Sequence, residues 1–317
     1  MSYLIFQKNK GQEYVYFVKK ASMLGKQYSL KKYVGLNTGL ISKETFLSNN
    51  FKTLIQEELE LRKPLWEKAQ KLAYDETLVL DVEEKAIELN NLIELKNAST
   101  IHDSEFAKEF VYNSNNIEGS RIPKEKLIEL FEKGKTTHAN INEVIEVENS
   151  IKAFEYIKHK FSFGKLHIKR LYHILTKELV LENGQHYPRG FRKLPIIVGN
   201  EPTSDPDKIE KEIKELLTWN KKNSKTMYPF QRAFDFHLQY ESTHPFRDGN
   251  GRTGRLIMNK ILLQNNYPPI IIYKDNKQAY FNSIKAAREG DKKKYYQFML
   301  KQTKKTYTQI INTIQTK

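Results

Sequence analysis

A chain of 317 residues with 39% hydrophobic content is long enough for one large domain plus a smaller module, and disorder is not its expected state. There is no cysteine, which excludes disulfides, thiolate zinc sites and a cysteine nucleophile. The net charge of +15 favours polyanionic partners, although nucleotide phosphates also need basic sites and a lysine-rich composition can be a bias of a whole proteome. The run Tyr3-Leu-Ile-Phe6 is too short for a signal segment and no stretch approaches a membrane span, so the cytoplasm is the expected compartment.

Residues 1–37 carry two β-prone runs, Tyr14-Val-Tyr-Phe-Val18 and Tyr28-Ser-Leu-Lys-Lys-Tyr-Val34, separated by turn-like segments around Gly11 and Gly25. They predict a β-meander inside a small basic module over residues 1–44. Lys8, Lys10, Lys19, Lys20, Lys26, Lys31 and Lys32 alternate there with Tyr and Phe, the mixture found on nucleic-acid-binding surfaces. A solvated face with its aromatics packed inward is the commoner origin of such a mixture. From Lys43 to Ala98 the spacing turns helical, through Phe51, Leu54, Ile55, Leu59, Trp66, Ala69 and Leu72 and then Val82, Ala86, Leu89 and Ile93, with Pro64 starting or kinking one helix. Residues 45–100 are expected to be a helical connector that could scaffold a homodimer or a partner.

A helix over Ser104 to Tyr112 leads into Ser114-Asn-Asn-Ile-Glu118-Gly119, a pattern that by itself reads as a helix end closed by Gly119. Further helices follow across residues 123–180. His173 and His237 lie on apolar helical faces and are expected to be hydrogen-bonded core histidines, not zinc ligands. Gly and Pro punctuation in Gly184-Gln-His-Tyr-Pro-Arg-Gly-Phe-Arg-Lys-Leu-Pro-Ile-Ile-Val-Gly199 predicts a hairpin. Asp205-Pro206 starts another helix, and the last one spans Tyr295 to Ile314.

The chemistry is concentrated in His244-Pro-Phe-Arg-Asp-Gly-Asn-Gly-Arg-Thr-Gly-Arg255. Phe230, Ala233, Phe234, His237 and Tyr240 recur at helical spacing before it, and Pro245 ends that helix at His244. A second, buried helix begins near Gly251. The stretch is therefore a loop between helices. Gly249 and Gly251 allow close approach of a ligand to backbone N–H groups at a helix start, which is an anion site. Arg252 and Arg255, three apart, can both fork onto phosphate oxygens. Asp248 is a hard oxygen ligand suited to a phosphate-bound Mg²⁺. His244, close to its ordinary pKa, can take a proton from an attacking hydroxyl. These are the parts of a phosphoryl-type transfer site. A rival reading as a dinucleotide fingerprint, Gly249-x-Gly251-x-x-Gly254 with Asp275 after the apolar run from Pro269 to Tyr273, lacks the preceding strand that it requires.

The stretch matches at every fixed position the HPFx(D/E)GNGRxxR signature and so resembles the Fic family, enzymes that transfer nucleotide monophosphates to protein hydroxyls. The resemblance implies a mainly α fold, a Fic-type helical domain over 101–317 with a β-hairpin flap, joined to the β-rich N-terminal module. It implies His244 as the base, Asp248 on Mg²⁺, and Gly249, Asn250 and Gly251 around the α-phosphate of ATP. Arg252 would lie on the departing phosphates and Arg255 on the γ-phosphate. The related Doc-type phosphotransferases carry Lys where Gly251 stands, which favours nucleotidyl transfer.

Residues Ser114, Glu118 and Gly119 resemble the (S/T)xxxE(G/N) inhibitory motif, which implies an inhibitory helix over about 104–118 whose Glu118 pairs with Arg255 in the place of the γ-phosphate. The hairpin is similar to the Fic flap, so Ile196, Ile197, Val198 and Gly199 would dock a target protein or a segment of the enzyme itself. Asn276, Lys277 and Tyr280 fall where relatives carry an Asn-Arg-x-x-Tyr pattern, which places Tyr280 beside the adenine. The implied function is an autoinhibited protein adenylyltransferase. A hydrolase that removes AMP, a transferase of another nucleotide and a nucleic-acid-associated regulator using residues 1–44 remain the alternatives.

Overall fold

The computed structural model describes residues 2–67, 75–181, 183–198 and 201–316. Two tight turns shape its N-terminus. Lys10 and Gly11, then Leu24 and Gly25, all take positive φ, as two-residue type I′ hairpin turns require. They join β1 (Ser2–Asn9), β2 (Gln12–Met23) and β3 (Lys26–Leu36) into an antiparallel sheet in the order β1-β2-β3. The run Tyr3–Phe6 thus belongs to a strand.

Alternation along β2 buries Val15, Phe17 and Lys19 on one face. Phe17 and Leu30 pack there against Leu47 and Leu54, contributed by α1 (Lys43–Asn49) and α2 (Phe51–Glu67). Tyr14, Tyr16 and Tyr33 cluster on the other face, with Lys31 Nζ 4.3 Å from the Tyr16 ring centre. The expectation of aromatics packed inward therefore fails for these tyrosines. Lys19, expected on the basic surface, is instead buried and bonded to Glu58 and Asn91. Pro64 lies inside α2. Ala69, Leu72 and the side chain of Trp66 lie outside the described residues.

The remaining helices are α3 (Glu76–Leu95), α4 (Ser99–Glu118), α5 (Lys124–Lys133), α6 (Ile141–His159), α7 (Lys165–Thr176), α8 (Ile209–Lys222), α9 (Pro229–Thr243), α10 (Asn250–Leu263), α11 (Lys277–Arg288) and α12 (Lys292–Thr316). The molecule is mainly α, and one continuous core unites most of it. Val79, Val82, Ala86 and Leu89 of α3 share that core with Phe106 and Phe110 of α4, Phe230 and Phe234 of α9, and Met299 and Leu300 of α12. The helix expected as part of a connector is thus packed into the same core as the helices around the motif.

The apolar run from Pro269 to Tyr273 forms no strand. Its backbone finds side chains instead of a sheet. Asn259 brackets Ile270 through both amide atoms, Thr306 accepts from Ile271 N–H and Gln302 from Tyr273 N–H. This satisfies a buried extended segment without sheet pairing, and the dinucleotide-fold alternative falls with it. Between α7 and α8, β4 (Ile197–Val198) and β5 (Glu201–Pro202) form a minimal antiparallel hairpin.

Candidate active site

Helix α9 ends where Pro245 forces it to: His244 takes φ 47° and ψ 63°, a left-handed conformation uncommon for a residue with a Cβ. Gly249, with φ 69°, caps α10, so six residues, 244–249, join the two helices. Phe246 anchors it. Its ring stacks on Tyr172 of α7 at 3.9 Å and lies 5.3 Å from Phe191. The Asn250 amide closes the loop from below, accepting from Phe246 N–H at 2.8 Å and donating to Phe246 C=O at 2.9 Å. That side chain is expected at the α-phosphate, but here it braces the loop. The first N–H groups of α10 have no acceptor within the helix, the arrangement that can receive an anion.

Burial pushes the His244 imidazole down to about 4, against the Glu241 main chain and the Glu118 charge, which act to raise it. The expectation of an ordinary pKa is corrected: the ring is neutral at pH 7, able to accept a proton but a weaker base. Its Nδ1 faces the Glu241 carboxyl at 4.0 Å. Burial, reinforced by the Glu118 charge, raises that carboxyl to about 7.

Both motif arginines are buried and each meets a carboxylate. Arg255 Nη2 donates to Glu118 Oε1 at 2.6 Å and to Ser114 C=O at 3.0 Å, while its Nε donates to Ser114 Oγ at 3.1 Å. Helix α4 is stopped to present that carboxylate. Gly119 takes φ 115°, its N–H bonds Asn116 C=O, and Ser120 N–H bonds Asn115 C=O, a Schellman closure. A Cβ on Gly251 would stand 2.2 Å from Glu118 Oε1. A side chain at this position would push the Glu118 carboxylate off its seat. Arg252 Nη1 donates to Glu146 Oε1 of α6 at 2.6 Å. Asp248 accepts from the Tyr187 hydroxyl at 2.9 Å and lies 3.8 Å from Arg252.

The hairpin is fastened to this loop by Arg192. Its Nε donates to His244 C=O at 2.8 Å, its Nη2 reaches Thr203 Oγ1 at 2.9 Å and Ser204 C=O at 2.5 Å, and its own N–H bonds Pro245 C=O at 2.9 Å. Ile196 C=O accepts from Thr203 at the base of the hairpin, and Ile197 points to solvent. Gly199 lies outside the described residues.

Two expected positions need correction. Tyr280 is 1% exposed and its hydroxyl lies 2.6 Å from His237 Nε2. It packs behind the motif with no face open to a base. His237 is the core histidine anticipated, whereas His173 is exposed. Glu146, Arg192, Tyr187 and Glu241 are site residues that the sequence reading missed.

A buried pair of arginines in the first turns of a helix, with a neutral histidine and an accessible carboxylate beside them, has the chemistry to receive a phosphorylated substrate. A family model described as Fic/DOC family matches residues 162–262. Protein adenylyltransferase Fic of Drosophila virilis is 28% identical over 243 residues, covering 73% of this chain and 48% of that protein. The Drosophila melanogaster protein is 36% identical over 117 residues, 37% of this chain and 24% of that one. The chain thus spans about half or less of the curated relatives that it matches. A Fic domain containing signaling protein from Bacteroides thetaiotaomicron superposes with TM-score 0.64 at 21% identity, covering 75% of this chain and 98% of the other. A Fic family protein from Desulfovibrio desulfuricans does so with TM-score 0.63 at 23% identity, covering 75% and 74%. These solved structures share the fold. Residues 162–262, which contain the motif, are thus similar to the Fic/DOC family.

Proposed function

We propose that this protein is an autoinhibited protein adenylyltransferase that moves AMP from ATP to a Ser, Thr or Tyr hydroxyl of a target protein. The observation that carries the reading is the seat of Glu118, on Arg255 and against Gly251 at the start of α10. A carboxylate there neutralises the arginine and repels the terminal phosphate of a nucleotide. The activity that the curated relatives' names print, protein adenylyltransferase, supports the same chemistry.

With Glu118 displaced, the triphosphate lies along the first turn of α10, held by its amides and by Arg252 and Arg255. The target oxygen attacks the α-phosphorus, its proton passes to neutral His244, and the bond to the bridging β-phosphate oxygen breaks. Pyrophosphate leaves with that electron pair. Asp248 is half-exposed, and one carboxylate completed by phosphate oxygens and water is a donor set that suits Mg²⁺. Among the described residues no cluster of three or more His, Asp or Glu forms a site that would hold a metal without the nucleotide. Mg²⁺ held by Asp248 would supply neutralisation of phosphate charge. The hairpin offers main-chain pairing to the target at Ile196, Ile197 and Val198, and Arg192 keeps that edge in register with His244.

The test uses α-labelled ATP with Mg²⁺ on wild type, Glu118→Gly, and Glu118→Gly combined with His244→Ala, reading label on the protein itself and on lysate proteins. Label should appear on removal of Glu118 and fall by about 10²–10⁴ on loss of the base. An undiminished rate without His244 would refute its role. The outward tyrosines and Lys31 favour a second role for the N-terminal sheet in binding single-stranded nucleic acid. Full-length protein that ignores a labelled oligonucleotide at low salt would end that reading.

A further inference from the structure

A second cationic site lies away from the motif. Arg232, the fourth residue of α9, is 3% exposed, and no carboxylate lies within ion-pair distance of it among the described residues. Its Nε has no hydrogen-bond partner, and its one recorded side-chain contact is Nη1 to Asn220 C=O at 3.5 Å. Burial pushes this guanidinium down to about 10. A buried lone cation costs several kcal/mol unless a counter-charge reaches it. Every other arginine buried to this degree in helices α2 and α10 has such a counter-charge: Arg62 has Glu58, Arg252 has Glu146 and Arg255 has Glu118.

Arg232 lines a cavity of about 800 Å³ that runs along α8. Lys211, Lys214 and Lys221 of α8 line it as well. The single carboxylate in the lining, Glu210, is already held by Lys165 and Lys169 at 2.9 and 3.2 Å. The first turn of α9 adds its positive dipole end beside Arg232. Phe163 and Leu217 give part of the wall an apolar surface. Arg232 and His244 stand twelve positions apart in sequence, near opposite ends of α9, roughly 18 Å along the axis.

We propose that this cavity is a binding site for a phosphate group, separate from the nucleotide cradle, with Arg232 forking onto the phosphate oxygens and the α8 lysines drawing it in. The apolar wall points to a phosphate monoester over free phosphate. A ligand there would act on the helix whose other end carries the catalytic histidine.

Calorimetric titrations of inorganic phosphate, pyrophosphate and AMP into wild type, Arg232→Met and Arg255→Ala at low salt test this. Wild type should bind AMP, Arg232→Met should lose about tenfold or more in affinity, and AMP should bind more tightly than phosphate. Lys214→Ala with Lys221→Ala, both exposed, should weaken binding several-fold and flatten its salt dependence, independently of whether Arg232→Met folds. Phosphate binding as tight as AMP would remove the ester assignment. Binding lost in Arg255→Ala and kept in Arg232→Met, or no binding of any probe to wild type, would overturn the site.

Discussion

Two clusters of buried cations hold this molecule together, and they differ in what covers the carboxylates. Beneath the N-terminal sheet, Arg62 bonds Glu58 at 2.5 Å and the Tyr28 hydroxyl at 2.7 Å, while Tyr228 and Tyr267 each donate to Glu83 at 2.6 Å. Cations and carboxylates alike are sealed: Glu83 is 0% exposed and Glu58 1%. Burial pushes Glu58 up, yet Arg62 and Lys19 hold it below the usual carboxylate range, whereas burial wins at Glu83 and raises it. At the motif the arginines are as deeply buried, but the side chains of their partners Glu118 and Glu146 are 24% and 20% exposed. A carboxylate that keeps a route to water can be exchanged for a phosphate without stranding a charge in the core. The first arrangement joins elements permanently, and the second fits the proposed exchange of a carboxylate for a nucleotide phosphate.

The largest effect expected from this contrast is on stability. Arg62→Ala leaves Glu83 without a cation and Glu58 with Lys19 alone in a dry interior, and should cost about 3–5 kcal/mol, read as a lower denaturant midpoint. Label transfer per folded molecule in the Glu118→Gly background should not change. A variant that unfolds normally but loses transfer would erase the distinction between the two clusters. Glu118→Gly should do the reverse. Transfer should rise by roughly 5- to 150-fold, the range of a coupling of about 1–3 kcal/mol, with a smaller stability loss than that of Arg62→Ala. An unchanged rate would mean that the Glu118–Arg255 pair is structural like its counterpart.

The difference between the clusters also explains what was legible in the sequence. Base, acid, glycines and arginines of the motif occupy twelve contiguous residues, and Pro245 and Gly119 mark helix ends by local sterics, so those features could be read without a fold. Glu146 reaches the same loop from α6, and Tyr187 and Arg192 reach it from the stretch between α7 and the hairpin, as single charged or polar residues. Only the packing of α6, α7 and the hairpin brings them in. Tyr280 was misplaced because a short pattern after the motif gives no direction for the ring, and α11 turns it into the core. Lys19 was legible after all: it shares the two-residue period of Val15 and Phe17, and its inward position follows from the strand, not from its charge.

The smallest effect probes the point at which the motif cluster meets His244. The Glu241 carboxyl, ordinarily near 4.5, is raised to about 7 by burial and by the neighbouring Glu118 charge. The folded state therefore binds more protons than the unfolded chain between these values, and stability falls as pH rises from about 4.5 to 7, then levels. Glu241→Gln removes that penalty. It should match wild type near pH 4 and exceed it by on the order of 2 kcal/mol at pH 8, measured as unfolding free energy across the range. Because the Glu118 charge is one cause of the shift, the same substitution made in Glu118→Gly should show a smaller gain at pH 8. An equal gain in both backgrounds would mean that burial alone sets the Glu241 proton, and that the displaceable glutamate does not communicate with the residue facing His244 Nδ1.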